Sequence, residues 1–217
     1  AKRIQNAILP PESLVKHLLP ESFILYRPKD IVSGDFYWMT KKNNLVIYAA
    51  VDCTGHGVPG AFMSIVGFNQ LNYAIEVKKA REANTILECL NEGVIDTLRE
   101  KGGDINGINA VKDGMDIALC VIDMKNKKLQ FAGANNPLCI VRDNEVLLYK
   151  GDKQAIGGNI DGELPKFTNH EIDLKSGDVL YTFSDGYADQ FGGNDGRKFM
   201  QKRFRELLQS IHNNPIE

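Results

Sequence analysis

The stretch that decides the fold spans residues 45–57 and reads LVIYAAVDCTGHG. Its apolar first half is rich in branched and aromatic side chains, which is typical of a buried β-strand. Asp52 ends this strand, and a glycine-rich turn follows it. A strand fixes the position of a carboxylate at its tip, and an adjacent glycine lets a ligand or another backbone approach closely. We therefore predict a strand that delivers a functional carboxylate.

Two further aspartates occupy similar positions beside a glycine. Asp185 follows the apolar run 179–184, and Asp35 precedes the aromatic run 36–38. Three such carboxylates in one half-buried cleft would repel one another, and a divalent cation relieves that repulsion. Oxygen ligands without Cys or His suit Mg²⁺ or Mn²⁺. Taken singly, each Asp also fits a turn or capping residue.

The remaining pattern alternates between helical and strand periodicity. Helical spacing is found over residues 1–9, 59–78, 84–101 and 196–211. Strand patterns are found at 23–26, 35–40, 45–52, 117–122, 129–132, 138–141, 146–149, 167–174 and 179–184, and the segment 102–114 has loop composition. Most links between strands have two to five residues, which requires antiparallel pairing. We expect an α+β fold of antiparallel sheets covered by helices.

Composition excludes several classes of function. The 217 residues include 26 Lys and Arg against 28 Asp and Glu, for a net charge of −2. This balance argues against nonspecific nucleic-acid binding. No apolar run approaches the roughly 20 residues of a membrane helix, and no signal-peptide pattern opens the chain. The cysteines are spaced too widely for a zinc pair or a disulfide scaffold, which favours the reducing cytoplasm.

A nucleotide-binding alternative comes from residues 55–60, which fit the pattern G-x-G-x-x-G between a strand and a helix. That fingerprint also needs an acidic residue about 20 positions later, at the end of a second parallel strand, whereas Glu76 falls inside a helical stretch. Asp52 would also place negative charge close to a pyrophosphate. We favour the metal-binding interpretation and keep the nucleotide module as an alternative.

Five motifs occur in an order that resembles a known family. They are Ala1-Lys2-Arg3-Ile4-Gln5 with Leu9-Pro10, Ser33-Gly34-Asp35-Phe36-Tyr37, Asp52-Cys53-Thr54-Gly55-His56-Gly57-Val58-Pro59, Gly133-Ala134-Asn135-Asn136-Pro137 and Ser184-Asp185-Gly186. The series resembles the stage II sporulation protein E-type serine phosphatases (SpoIIE-like or RsbU-like). These are the bacterial branch of the metal-dependent type-2C (PPM) protein phosphatases. The resemblance covers nearly the whole chain.

The resemblance implies a four-layer α-β-β-α sandwich and hydrolysis of phosphoserine or phosphothreonine by a metal-activated water. It implies two Mn²⁺ or Mg²⁺ ions, with Asp52 bridging both and Cys53 contributing its backbone carbonyl. It assigns Asp35 to one ion and Asp185 to the other. Asp189 matches an acidic position just after the Asp-Gly pair and is taken as a further ligand.

Three residues are left with open roles. Asp113 lies near a family position that is associated with a third, weaker metal. His56 either donates a proton or stabilises its turn. Asp116 either faces the metal cleft or simply begins a strand.

One departure from the family pattern concerns the end of the chain. The family usually closes with an Asp-Asp or Asp-Asn motif on a last strand, which supplies another ligand to the metal at Asp185. The sequence stops at residue 217 without this strand. We therefore expect residues 10–217 to be a phosphatase domain that lacks its last strand, so that either the chain is truncated or this metal site is incomplete. The alternative function is an impaired pseudophosphatase that binds a partner without turnover.

The predicted partners follow from the resemblance and from the first helix. Residues 1–9 form an amphipathic helix that begins without a cap and stops at a proline pair. We interpret them as the end of a linker or regulatory helix, which favours an upstream sensor domain and a homodimer. The expected substrate is a phosphoprotein in bacterial signalling, such as an anti-sigma-factor antagonist.

Overall fold

The computed structural model describes residues 1–99, 113–158, 164–193 and 196–215. The helices are α1 (Lys2–Ile8), α2 (Glu12–Leu18), α3 (Gly57–Glu76), α4 (Ala83–Arg99) and α5 (Gln201–Ile211). The strands are β1 (Phe36–Lys42), β2 (Leu45–Cys53), β3 (Met115–Asp123), β4 (Lys128–Ala134), β5 (Leu138–Arg142), β6 (Glu145–Tyr149), β7 (His170–Asp173), β8 (Val179–Thr182), β9 (Phe191–Gly192) and β10 (Arg197–Lys198).

The strands form two main sheets in which neighbours are antiparallel. One sheet has the order β1-β2-β3-β4-β7, and the other has the order β6-β5-β8. β9 and β10 form a separate two-stranded hairpin. Short turns make this pairing possible, and Asn43, Asp143 and Asn144 adopt the positive φ angles that tight hairpins need. The expected antiparallel α+β fold is confirmed.

Alternating side chains of the larger sheet separate two apolar layers. Ile47 and Leu119 face α3 and α4, whereas Cys120 and Phe131 face the smaller sheet. The smaller sheet is covered on its outer face by α5, whose Phe204 belongs to a cluster with Cys139 and Leu208 of α5. The order of layers is therefore helix, sheet, sheet, helix, as the family resemblance implied.

The register of the larger sheet determines where the site lies. Phe36 is opposite Val51, so the start of β1 lies beside the end of β2. Asp52 is opposite Asp116, the second residue of β3. Antiparallel pairing therefore gathers the residues before β1, at the end of β2 and at the start of β3 at one end of the sheet.

Three local predictions are wrong. Residues 23–26 are not a strand, because no neighbouring strand pairs with them in the described part of the chain. The helix α2 is not predicted, because a proline pair ends the preceding helical pattern, although proline also suits the start of a helix. The last helix begins at Gln201 instead of residue 196, because Arg197 and Lys198 pair with β9. Most of the predicted loop 102–114 lies outside the described residues.

No helix in the ranges that the structure describes is long and apolar enough to cross a membrane.

An ion pair links the end of β5 to the turn before β8. Arg142 donates to both carboxylate oxygens of Asp178, from Nε at 2.7 Å and from a terminal nitrogen at 2.6 Å. The backbone N–H of Lys175 also donates to this carboxylate. The Asp178 side chain is only 3% exposed. The hydrogen bonds from Arg142 therefore hold the pKa of Asp178 below its usual range.

The packing of α3 on the larger sheet allows a prediction about truncating a buried side chain of this helix. Leu71 is fully buried at 0% exposure, whereas Phe62 of the same helix is 66% exposed. We expect Leu71→Ala to lower the free energy of unfolding by about 2–5 kcal/mol, because a cavity remains. Phe62→Ala is the matched control and should change it by less than about 0.5 kcal/mol. Equal losses in urea unfolding would contradict this packing.

The Arg142–Asp178 pair predicts a pH-dependent stability. Since the folded-state pKa of Asp178 is lowered, its contribution is present above the unfolded value of about 3.9 and is lost as the pH falls through the folded value. Asp178→Asn should lower the free energy of unfolding at pH 7 by about 1–3 kcal/mol. Urea unfolding of both proteins should show this difference shrinking below about pH 4.

The control for this pair is Asp173→Asn. Asp173 pairs with Lys128 at 3.4 Å, and its side chain is 84% exposed. Exposed ion pairs contribute about 0–1 kcal/mol, so the free energy of unfolding of this variant should be close to that of the parent both at pH 7 and below about pH 4. A difference for Asp178→Asn that does not change with pH would refute the electrostatic origin.

Candidate functional site

Asp35 lies immediately before β1 and is fixed through both its backbone and its side chain. Its N–H donates to Ser33 Oγ at 3.0 Å, and its carbonyl accepts from the Tyr26 hydroxyl at 3.1 Å. Its carboxylate Oδ2 accepts from Ser184 Oγ at 2.7 Å. Because Ser184 directly precedes Asp185, this last bond joins the tip of one sheet to the tip of the other.

Asp52 and Asp116 occupy neighbouring strands of the larger sheet and are directly opposite each other. The carboxylate of Asp116 accepts a hydrogen bond from Asn135 Nδ2 at 2.7 Å. Asn135 holds a positive φ of 57° in the turn after β4, a conformation that asparagine tolerates. The sequence motif at residues 133–137 thus supplies the side chain that orients Asp116.

The electrostatics show that the three aspartates predicted as metal ligands have been brought together. Burial and the negative charges of Asp35 and Asp185 raise the pKa of Asp52 to about 7, although a backbone hydrogen bond from Asp185 opposes the shift. Burial, Asp189 and Asp35 raise the pKa of Asp185. Burial also raises the pKa of Asp116, and Asp185 adds to this effect. Like charges crowd one end of the sandwich.

Cys53 and Asp189 have surroundings that limit what they can do. Burial, with the charges of Asp35 and Asp52, raises the pKa of the Cys53 thiol well above its usual range, so its sulfur stays protonated. Its backbone carbonyl oxygen is therefore the atom of Cys53 that could bind a metal ion. Asp189 follows Asp185 by one turn, and its N–H donates to the Asp185 carbonyl at 2.9 Å. Its carboxylate is held by Lys198 Nζ at 2.7 Å.

Two of the residues with open roles, His56 and Asp113, lie just after β2 and just before β3. His56 Nδ1 lies 3.2 Å from a carboxylate oxygen of Asp30, and the His56 side chain is 85% exposed. This contact ties the turn before α3 to the loop before Ser33, which favours the turn-stabilising role. Asp113 directly precedes Gly114, whose carbonyl accepts from the Thr54 N–H at 2.9 Å.

Close backbone packing surrounds the glycine before Asp35. A Cβ atom at Gly34 would lie 2.7 Å from the Gly55 carbonyl oxygen and 3.0 Å from that of Cys53. Gly60 is packed as tightly, since its Cβ would lie 2.5 Å from the Gly55 oxygen. The glycines therefore let three chain segments touch where the carboxylates meet.

The donors at this end fit a hard divalent cation. The side chains of Asp35, Asp52 and Asp185 and the carbonyl of Cys53 offer oxygen atoms only, which Mg²⁺ and Mn²⁺ prefer. In the ranges that the structure describes, no three His, Cys, Asp or Glu side chains are gathered tightly enough to form a ready metal cluster. The fit therefore rests on the chemistry of the donors and on their crowded charge.

The topology removes the nucleotide-binding alternative. A dinucleotide fingerprint joins parallel strands through a crossover helix. Here β2, which precedes the glycine motif, pairs antiparallel with both β1 and β3. Gly55 and Gly57 adopt positive φ angles of 87° and 66° to shape the turn into α3. The motif serves the close packing of this turn.

Comparisons with known proteins identify the family. The family model for stage II sporulation protein E (SpoIIE) matches residues 42–217. The chain belongs to the SpoIIE family. It is also similar to the SiaA-PP2C domain of Pseudomonas aeruginosa, with 34% identity and a TM-score of 0.86 over 99% of this chain and 81% of that one. The SpoIIE family comprises PP2C-type, metal-dependent protein serine/threonine phosphatases, and this chain is an enzyme of that kind.

Two more distant structures share the PP2C fold. The RsbU and RsbW domains of Rv1364c from Mycobacterium tuberculosis match with 18% identity and a TM-score of 0.64, over 87% of this chain and 48% of that one. The phosphatase domain of SpoIIE from Bacillus subtilis with a fragment of its regulatory domain matches with 20% identity and a TM-score of 0.56, over 86% and 55%. A comparison with curated protein sequences gave no match.

Sequence reasoning about this SpoIIE-family chain missed the side chains that orient the carboxylates. Ser184 and Asn135 belong to the family motifs, yet the sequence does not predict their hydrogen bonds to Asp35 and Asp116. Lys198 was also missed as the partner of Asp189. The motif positions of Ser184 and Asn135 were the available signal, whereas nothing near Lys198 marked it.

Close packing at Gly34 predicts a sensitive position. Gly34→Ala should force the Asp35 and Cys53 backbones apart, lowering the free energy of unfolding by about 1–3 kcal/mol and Mn²⁺-dependent phosphate release by at least about tenfold. Gly192→Ala is the control, because a Cβ there meets no atom within 4 Å. Urea unfolding and p-nitrophenyl phosphate hydrolysis check both variants. Parent-like behaviour of Gly34→Ala would contradict the predicted packing.

Proposed function

We propose that this chain removes phosphate from phosphoserine and phosphothreonine in a protein substrate. Asp35, Asp52, Asp185 and the Cys53 carbonyl would hold two Mn²⁺ or Mg²⁺ ions, with Asp52 between them. The observation that carries the proposal is that Asp35, Asp52 and Asp185 lie together at one end of the sandwich, where burial and the charges of Asp35 and Asp185 raise the pKa of Asp52 to about 7. Three distant chain segments supply these carboxylates, as a shared cation site requires.

The protein contribution to this chemistry is orientation. When bound, two divalent cations supply an activated water and offset the charge of the phosphate oxygens. Ser184 Oγ donates to one carboxylate oxygen of Asp35 and so fixes the orientation of that side chain. Asn135 does the same for Asp116, which would orient water at the edge of the site. Because these carboxylates are already oriented by hydrogen bonds, the site needs little rearrangement during the reaction.

Asp189 has a conditional role in the proposal. Lys198 Nζ donates to one oxygen of its carboxylate and offsets part of its charge, which weakens Asp189 as a direct ligand. While that bond persists, Asp189 adds negative charge beside Asp185, as the raised pKa of Asp185 reflects. We therefore propose Asp35, Asp52 and Asp185 as the essential carboxylates and Asp189 as an auxiliary one.

The surface beside the proposed site suits a protein substrate. A cavity of about 490 Å³ lies next to the Asp185 loop, and its lining includes the aromatic residues Tyr187 and Phe191 and the basic residues Arg197 and Arg203. Aromatic and guanidinium groups together suit an acidic or phosphorylated segment of a partner protein. We propose that the substrate docks here.

The biological setting is proposed from the relatives. Similarity to proteins that carry RsbU and RsbW domains or a regulatory domain supports a bacterial signalling role. The proposed substrate is a phosphoprotein such as an anti-sigma-factor antagonist, in the cytoplasm. We keep residues 1–9 as the end of a linker helix from an upstream sensor that promotes a homodimer, and residues 10–217 as the phosphatase domain.

The decisive variant is Asp52→Asn, which keeps the shape of the side chain and removes its charge. We expect Mn²⁺-dependent phosphate release from p-nitrophenyl phosphate and from a phosphoserine protein to fall by at least about 100-fold, because the shared ligand is lost. The measurement is released phosphate at increasing Mn²⁺ concentration.

The matched control is Asp143→Asn in the turn between β5 and β6. Asp143 has a positive φ of 51°, which asparagine accepts, so activity should equal that of the parent. Substrate binding by the parent with no phosphate release at any Mn²⁺ concentration would refute the enzyme and support the pseudophosphatase. Full activity of Asp52→Asn would refute the ligand assignment.

A further inference from the structure

Gln5 of α1 is a buried polar side chain that the proposed chemistry does not use. It is 4% exposed, although most of its helix faces solvent. Its amide pairs with the backbone of Ser33 in both directions. Nε2 donates to the Ser33 carbonyl at 2.6 Å, and Oε1 accepts from the Ser33 N–H at 3.0 Å. A side chain from the first helix thus holds a loop 28 residues away.

The same amide is anchored to α3. Gln5 Nε2 also donates a hydrogen bond to Ser64 Oγ at 3.1 Å. Ser64 is buried, and its hydroxyl donates to the Ala61 carbonyl within α3. One side chain therefore joins α1, the loop at Ser33 and the helix that packs on the larger sheet.

Ser33 connects the Gln5 contact to Asp35 through a hydrogen bond. Its hydroxyl oxygen accepts the Asp35 N–H at 3.0 Å. Gly34 between them is packed so closely against the glycine turn that even a Cβ atom there would lie 2.7 Å from the Gly55 oxygen and 3.0 Å from the Cys53 oxygen. With the loop held by Gln5 on one side and by this turn on the other, the Asp35 backbone has little freedom.

The chemistry of the position explains why an amide stands there. Pairing with both the N–H and the C=O of Ser33 needs one donor and one acceptor on the same side chain, which glutamine provides. Glutamate lacks the donor, and methionine of similar size lacks both. A partly buried backbone group without a partner costs about 1–3 kcal/mol, so losing the amide favours movement of the loop.

We propose that Gln5 is a positioning residue that fixes the carboxylate of Asp35 through Ser33 and thereby sets the affinity of the divalent cation. The effect of Gln5 on cation affinity rests on the proposed function. Its effect on the position of Asp35 does not depend on that function. Gln5 does not contact the cation or the substrate, and it acts through the loop alone.

The first experiment measures amide hydrogen exchange in the metal-free chain. In Gln5→Met the amides of Ser33 and Asp35 should exchange at least about tenfold faster, because the loop loses its two hydrogen bonds to the amide. Val15→Ala is the stability control, since Val15 of α2 is buried in a different cluster with Met39 and Val46. It should lower Tm without selectively exposing these two amides. Unchanged exchange at Asp35 in Gln5→Met would overturn the proposal.

The second experiment measures Mn²⁺ affinity by calorimetry and by the Mn²⁺ dependence of phosphate release. Gln5→Met should weaken the affinity by about tenfold, with activity recovering at saturating Mn²⁺, whereas Val15→Ala should match the parent. Ser33→Ala, which removes the acceptor for the Asp35 N–H, should weaken it similarly. Because both residues act along one path, the double variant should lose much less than the product of the two effects.

The outcomes separate this inference from the proposed function. Faster exchange in Gln5→Met with unchanged Mn²⁺ affinity, or fully multiplicative effects in the double variant, would overturn the coupling. A parent chain without Mn²⁺-dependent phosphate release refutes the proposed function, and the exchange result then supports or overturns the positioning role by itself.

Discussion

Repulsion among carboxylates at one end of the sandwich is the constraint on which the proposed site depends. Asp35, Asp52 and Asp185 lie close together, and burial together with the negative charge of Asp35 raises the pKa of both Asp52 and Asp185. A chain gathers such groups only if the fold forces them together. Sheet pairing provides that force, since the ends of β1 and β2 meet by register and Ser184 ties the second sheet to Asp35.

The scaffold makes this crowding tolerable by keeping the rest of the structure apolar and closely packed. The larger sheet is buried between α3 and α4 on one face and the smaller sheet on the other. The strands near the site cannot separate without exposing both layers to water, which hydrophobic burial opposes. Glycines at the tips allow the backbones of residues 34, 53 and 55 to touch. The apolar layers therefore stabilise the fold, and the unfavourable repulsion between carboxylates is confined to one end of the sandwich.

Much of this arrangement could be predicted from the sequence, because apolar periodicity and short links determine antiparallel sheets. The strand ending at Asp52 and the order of motifs were sufficient for the fold and the family. Residues 23–26 show the limit, since β-propensity does not provide a neighbouring strand. The contacts of Gln5 and Ser184 depend on residues 28 and 149 positions away, so no local pattern could reveal them.

The central claim is that the three carboxylates share divalent cations. The most direct test is a crystal structure of the chain with Mn²⁺, using anomalous scattering to locate the metal. The account predicts two Mn²⁺ ions about 3.5–4 Å apart, with an oxygen of Asp52 between them and Asp35 and Asp185 on either side. Mn²⁺ bound elsewhere, or carboxylates of these residues that point away from any bound ion, would contradict it.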